Sequence, residues 1–135
     1  MIRDRLIPAL KTEFSGWEIS FDEPPQPIAT FPACQEAVGK VTVYDDGEEA
    51  TVCIENITHG HFNPYDESLN PEEREKIITE DVVEFLKALF SNRVLLHTTP
   101  DNRVGGWSRL DLQDGPVELS PSARYFLWSK PYEPS

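Results

Sequence analysis

The segment from Val38 to Ile54 constrains the fold of this chain more than any other. Its residues alternate between apolar and polar on both sides of Asp46-Gly47, as expected for two antiparallel strands joined by a tight turn. A two-residue type I′ turn at Asp46-Gly47 predicts Val43 opposite Ala50, Val41 opposite Val52 and Gly39 opposite Ile54 on one face. The other face then pairs Thr42 with Thr51 and Lys40 with Cys53. This register separates an apolar face from a more polar one, which is what selects a register. It also sets Asp45 against Glu48, a like-charge pair that costs stability. A calcium loop through Asp45, Asp46, Glu48 and Glu49 is disfavoured, because the spacing departs from D-x-[DN]-x-[DN]-G and the turn already accounts for the glycine.

The flanking segments supply partners for the hairpin. Ile2, Leu6, Ala9, Leu10 and Phe14 recur at helical spacing, with Pro8 predicting a kink or a late start and Ser15-Gly16 an end. Trp17–Phe21 alternates like a half-buried strand. Asp22–Pro32 carries four prolines and reads as an ordered surface connection, not a central strand. Thr58–Asp66 is a loop by composition. A helix then opens on Asn70, Pro71 and Glu73, the cap, first-turn and capping-box residues. Its apolar stripe is Ile78, Val82, Phe85, Leu86 and Leu89, with a second cap signal at Thr79 that predicts a break. Arg93–His97, Trp107–Leu112 and Ala123–Ser129 read as strands, with a bulge or bend at Gly105-Gly106. The connections Thr98–Gly106 and Gln113–Ser122 are turn-rich.

The order helix, three strands, helix, three strands predicts an α+β fold. We expect a mostly antiparallel sheet of about five to six strands with two or three helices packed on one face. At 135 residues the chain fits a single domain, residues 1–135. No apolar run approaches the ~20 residues of a spanning helix, and the first residues lack the pattern of a signal peptide, so the expectation is a soluble cytoplasmic protein. Cys34 and Cys53 form neither a disulfide framework nor a metal spacing and read as packing residues.

Charge bears most directly on function. The formal net charge is −12, and it is uneven: Glu36–Glu84 holds 14 acidic and 3 basic residues, whereas Arg93–Lys130 holds 4 acidic and 5 basic ones. Such a field repels nucleic-acid phosphates and anionic membranes and attracts cationic partners.

Two constellations look chemical. His59-Gly60-His61 offers two imidazoles that point the same way in an extended segment, so a divalent transition metal is conceivable with Asp66, Glu67 or His97 completing the site. The bland alternative is a polar loop. The second constellation is Arg103, Trp107, Arg109, Arg124, Tyr125 and Trp128, of the residue types enriched at binding hot spots, against the simpler reading that the tryptophans fill the core. No G-x-S-x-G elbow or G-x-G-x-x-G loop is present.

The sequence therefore favours a non-enzymatic inhibitor, immunity or regulatory protein without a cofactor. It would bind a basic protein partner through Asp45, Asp46, Glu48 and Glu49 with Arg103, Trp107 and Arg109 as anchors. The alternatives are a metal-binding domain or metal-dependent enzyme centred on His59, His61 and Asp66, or a small-molecule-binding domain with Trp107 and Arg109 at a pocket mouth. An exposed sheet edge also admits a homodimer.

Overall fold

In the computed structural model, which describes residues 1–115 and 117–132, the hairpin grows into a five-stranded antiparallel meander. Its strands are β1 (Ser20–Phe21), β2 (Ala29–Phe31), β3 (Val41–Asp45), β4 (Ala50–Ile54) and β5 (Thr58–Phe62), adjacent in chain order. Two helices, α1 (Ile2–Glu13) and α2 (Pro71–Phe90), complete this layer. A second antiparallel sheet has the order β7-β6-β8, from β6 (Val94–Thr98), β7 (Gly105–Arg109) and β8 (Arg124–Phe126). The α+β class expected from the sequence is thus the observed one. Among the described residues, no helix is long and apolar enough to cross a membrane.

The hairpin register differs from the expected one by two residues. Val41 lies opposite Ile54, Val43 opposite Val52 and Asp45 opposite Ala50. The reason lies in the turn. A type I′ turn needs positive φ at both central residues, and here Gly47 has φ +91° whereas Asp46 is not among the residues with positive φ. A four-residue loop forms instead, closed by Asp46 N–H donating to the Glu49 carbonyl at 2.9 Å. Asp45 Oδ1 accepts from Gly47 N–H at 2.9 Å. The longer loop removes the Asp45–Glu48 opposition. An even shift keeps every side chain on its expected face.

Two segments read as connections are strands. Ala29–Phe31 pairs with β1 on one side and β3 on the other. It does so because the prolines stop short of it: Pro27 precedes the paired residues and Pro32 follows them. Thr58–Phe62, with its two histidines, pairs with β4 along its whole length, from Ile54↔Thr58 to Ala50↔Phe62.

The inner face of the meander, including Ala29, Phe31, Val41, Val43, Ala50, Val52 and Ile54, is buried in one core with both helices. From α1 come Ile2, Leu6 and Leu10, each fully buried, and the helix runs from Ile2 straight through Pro8. From α2 come Ile78, Val82, Phe85, Leu86 and Leu89, and each such burial stabilises by roughly 1.5–3 kcal/mol. Asn70 caps α2 as expected, its Oδ1 accepting from Glu73 N–H at 2.8 Å. The expected break at Thr79 is absent. Apolar residues on both sides of it, Ile78 and Val82, stay in the core, and packing overrides the local cap signal.

The second sheet joins this core through Val94, Leu96 and Trp128. Gly105 and Gly106 do not make a bulge: they open β7, paired with Thr98 and His97. A Cβ on Gly105 would lie 1.9 Å from the Ile57 carbonyl oxygen, so only glycine lets β7 approach the turn between β4 and β5. In the turn-rich connection 113–122, Pro116 lies outside the described residues.

Candidate functional site

Four segments distant in sequence meet at one end of the molecule, and nearly all of them are acidic. The β3–β4 loop brings Asp45, Asp46, Glu48 and Glu49. Asp45 Oδ2 accepts from Arg3 N–H at 3.0 Å, which fixes this loop beside the start of α1. The Met1 amino group lies 3.3 Å from Asp4 and 3.1 Å from Glu75, tying the start of α1 to the first turns of α2. Glu48 in turn lines a small open groove of about 220 Å³ with Asn63, Tyr65, Asp66, Glu67 and Arg74. Glu72 and Glu73 stand in the first turn of α2, where the helix dipole favours negative charge. Among the described residues, Glu48, Glu67 and Glu72 take part in no ion pair. This end therefore carries more acidic than basic groups, with Arg74 the one cation among the described residues that line the groove.

Tyr65 lines the same groove as Glu48, Asp66 and Glu67. Its side chain is 75% exposed, and its backbone has φ +53°, a conformation that bulky residues rarely adopt. Asn63 holds it there, its Oδ1 accepting from Tyr65 N–H at 2.8 Å. Packing therefore does not account for the position of this ring.

A polar cluster adjoins the same end on the outer face of the sheet, the face opposite the helices. The pairing registers set Tyr44, Thr51 and His61 in one row and Thr42, Cys53 and His59 in the next. His61 Nδ1 is 2.6 Å from Glu49 Oε2 and 3.0 Å from Thr51 Oγ1. The Thr51 hydroxyl donates to Asp46 Oδ2. A hydroxyl carries one proton, so His61 Nδ1 must be the donor toward Thr51, and its N–H is shared with Glu49. One ligand-capable atom each from Asp46, Glu49 and His61 lie within 4.8 Å of one another.

The residues singled out in the sequence are distributed as follows. His59 and His61 do face the same way, with ring centroids 5.4 Å apart. Asp66 does not join them: it accepts from the Ser68 hydroxyl at 2.6 Å and the Ser68 N–H at 3.0 Å. Those bonds, the hydroxyl first, hold its carboxyl below the usual range. Trp107 packs on Phe85 at 4.4 Å between centroids and lies over Gly60, partly buried against the core. Arg109 is taken up by Glu84, with two hydrogen bonds of 2.8 Å, and by Asp111. Arg103 stays exposed near Asp101 and lines an open groove of about 400 Å³ with Cys53 and His59. The three anchors expected to act together, Arg103, Trp107 and Arg109, are thus placed in three different roles. The four hairpin acids stay together, and Tyr65 is the residue the sequence did not single out.

The Arg109 cluster carries a pH consequence. Hydrogen bonds from Arg109 hold both Glu84 and Asp111 below their ordinary values. A carboxyl depressed on folding contributes stability that is complete above its unfolded pKa and is lost as pH falls through the folded one. Arg109→Met is therefore expected to flatten the loss of stability below about pH 4, where ordinary carboxyls titrate. Urea midpoints measured across that range, with equal slopes for variant and wild type, would contradict this coupling.

No family model, curated protein or solved structure matches the chain.

Proposed function

We propose that the protein is a non-enzymatic interaction protein that binds a basic protein partner through its acidic end. The observation that carries this reading is that acids of α1, the β3–β4 loop, the β5–α2 loop and the start of α2 lie on adjoining segments, with an exposed tyrosine in the groove of Glu48, Asp66 and Glu67. Each acid alone would be ordinary surface charge. Gathered on one end, they produce a field that extends about a Debye length, ~8 Å at physiological ionic strength, and steers a cationic surface toward it.

Steering sets the encounter rate, whereas affinity needs a desolvated anchor. Tyr65 supplies one: its ring brings contact area, its hydroxyl a directed hydrogen bond, and its fixed backbone lowers the entropy lost on binding. Its groove-mate Arg74 and the neighbouring Asp66 and Glu67 would form the rim. The reading is tested by immobilising the protein and capturing partners at low and high salt. A basic protein retained at low salt and released at high salt is the expected result, with Tyr65→Ala weakening its binding by at least tenfold, the equivalent of a hot-spot truncation. Retention that is indifferent to salt and to Tyr65→Ala would overturn it.

A further inference from the structure

Beyond partner binding, we propose that Asp46, Glu49 and His61 form a binding site for a divalent transition metal ion of the Zn²⁺ class. The site is assembled by the fold, not by neighbours in sequence: two carboxylates come from the β3–β4 loop and one imidazole from β5, the strand paired on the far side of β4. The Ala50↔Phe62 and Thr51↔His61 pairs fix how the loop and the imidazole face each other.

The donor set selects the metal. One nitrogen and two carboxylate oxygens suit borderline divalent ions, whereas calcium and magnesium prefer all-oxygen shells. Three protein ligands leave one tetrahedral position for water. Metal–ligand bonds of about 2.1 Å place tetrahedral ligands roughly 3.4 Å apart, so donors now within 4.8 Å close on an ion by side-chain rotation. Asp46 and His61 are exposed and Glu49 is partly exposed, which leaves those rotations free.

Thr51 is the positioning residue. It is 8% exposed on β4, and its Oγ1 contacts both Asp46 and His61. These contacts hold one ligand from the β3–β4 loop and one from β5 in place, as partners of metal ligands commonly do. The proton on His61 Nδ1 occupies the position the ion would take. Binding at Nδ1 therefore requires the tautomer that carries its proton on Nε2, leaving the Nδ1 lone pair for the metal. His59, although on the same face, belongs to the neighbouring row, opposite Cys53, and is not a ligand of this site.

The test is calorimetric titration with Zn²⁺, with Co²⁺ visible absorption as an independent readout of ligand geometry. Wild-type protein is expected to bind one equivalent saturably. His61→Ala, Glu49→Gln and Asp46→Asn are each expected to weaken binding by about tenfold or more, and His59→Ala by less than about twofold. Circular dichroism that matches wild type confirms that the variants remain folded, as substitutions at these partly or fully exposed positions should allow. Absence of saturable binding by wild type, or unchanged binding by His61→Ala, overturns the site. A loss on His59→Ala as large as that on His61→Ala overturns the three-ligand assignment.

Discussion

Gly105→Ala should lower the stability of the protein by about 3 kcal/mol, the upper end of the ordinary cost of overpacking. The added Cβ would sit 1.9 Å from the Ile57 oxygen, 2.8 Å from the Ile57 carbonyl carbon and 3.0 Å from the His97 oxygen. All three are backbone atoms, so no side chain can rotate to relieve the clash. Nor can the backbone drift easily. Ile57 N–H donates to the Ile54 carbonyl at 2.9 Å, and Gly105 is paired with Thr98 at the start of β7. Relief requires separating the second sheet from the β4–β5 turn. Gly106→Ala is the internal comparison: its Cβ would meet the His97 ring at 2.9 Å, a side chain that can move, so its cost should be clearly smaller. Urea denaturation of the two variants measures the difference. A Gly105→Ala midpoint equal to that of Gly106→Ala would show that the two sheets are not in the close contact described.

Phe31→Ala should cost about 3–5 kcal/mol, the range for removing a fully buried aromatic side chain and leaving a cavity. Phe31 is 0% exposed and stands among Phe14, Trp17 and Phe90, with ring centroids 5.5, 6.2 and 5.0 Å away. It is the point where α1, α2 and the sheet share one aromatic cluster. Thermal or urea unfolding reports the loss. A cost below about 0.5 kcal/mol, the level of ordinary surface substitutions, would mean that β2 is not an interior strand of the sheet.

That second prediction also marks where the sequence ceased to be informative. In Asp22–Pro32 the prolines dominate the local signal, and three paired residues are too short to show a period of their own. Thr58–Phe62 was obscured in a different way: Thr, His and Gly are poor strand markers, and its one face toward the core is filled by Gly60 under Trp107, a contact no local pattern reveals. Long, strongly periodic segments were legible. The α2 stripe and its Asn70 cap are as expected, and both hairpin faces are as expected although the register is not.

The candidate site was half legible. The excess of acid in the middle of the chain is plain in the sequence, and so is the His59–His61 pair. What sequence could not show is which acids share an end. Asp4 and Glu75 lie 71 positions apart in number, and only their common contact with the Met1 amino group places them together. Likewise Glu49 rather than Asp66 meets His61, because strand pairing brings the β3–β4 loop to β5 while Asp66 is turned into its own Ser68 turn. Arg109 and Trp107 have the residue types of binding anchors, yet ion pairing and burial account for them. Neither the exposure of Tyr65 nor its positive φ is encoded in composition.

The most direct test of partner binding at the acidic end compares two triple variants with the same change in net charge. One carries Glu48→Lys, Glu67→Lys and Glu72→Lys at the acidic end; the other carries Glu18→Lys, Asp114→Lys and Glu118→Lys, all exposed and outside it. Capture of the basic partner is measured for both against wild type at low salt. Loss of capture by the first variant alone is the result predicted here. Equal capture by both variants would contradict it, since binding would then follow total charge or some other surface and not the end built around Tyr65.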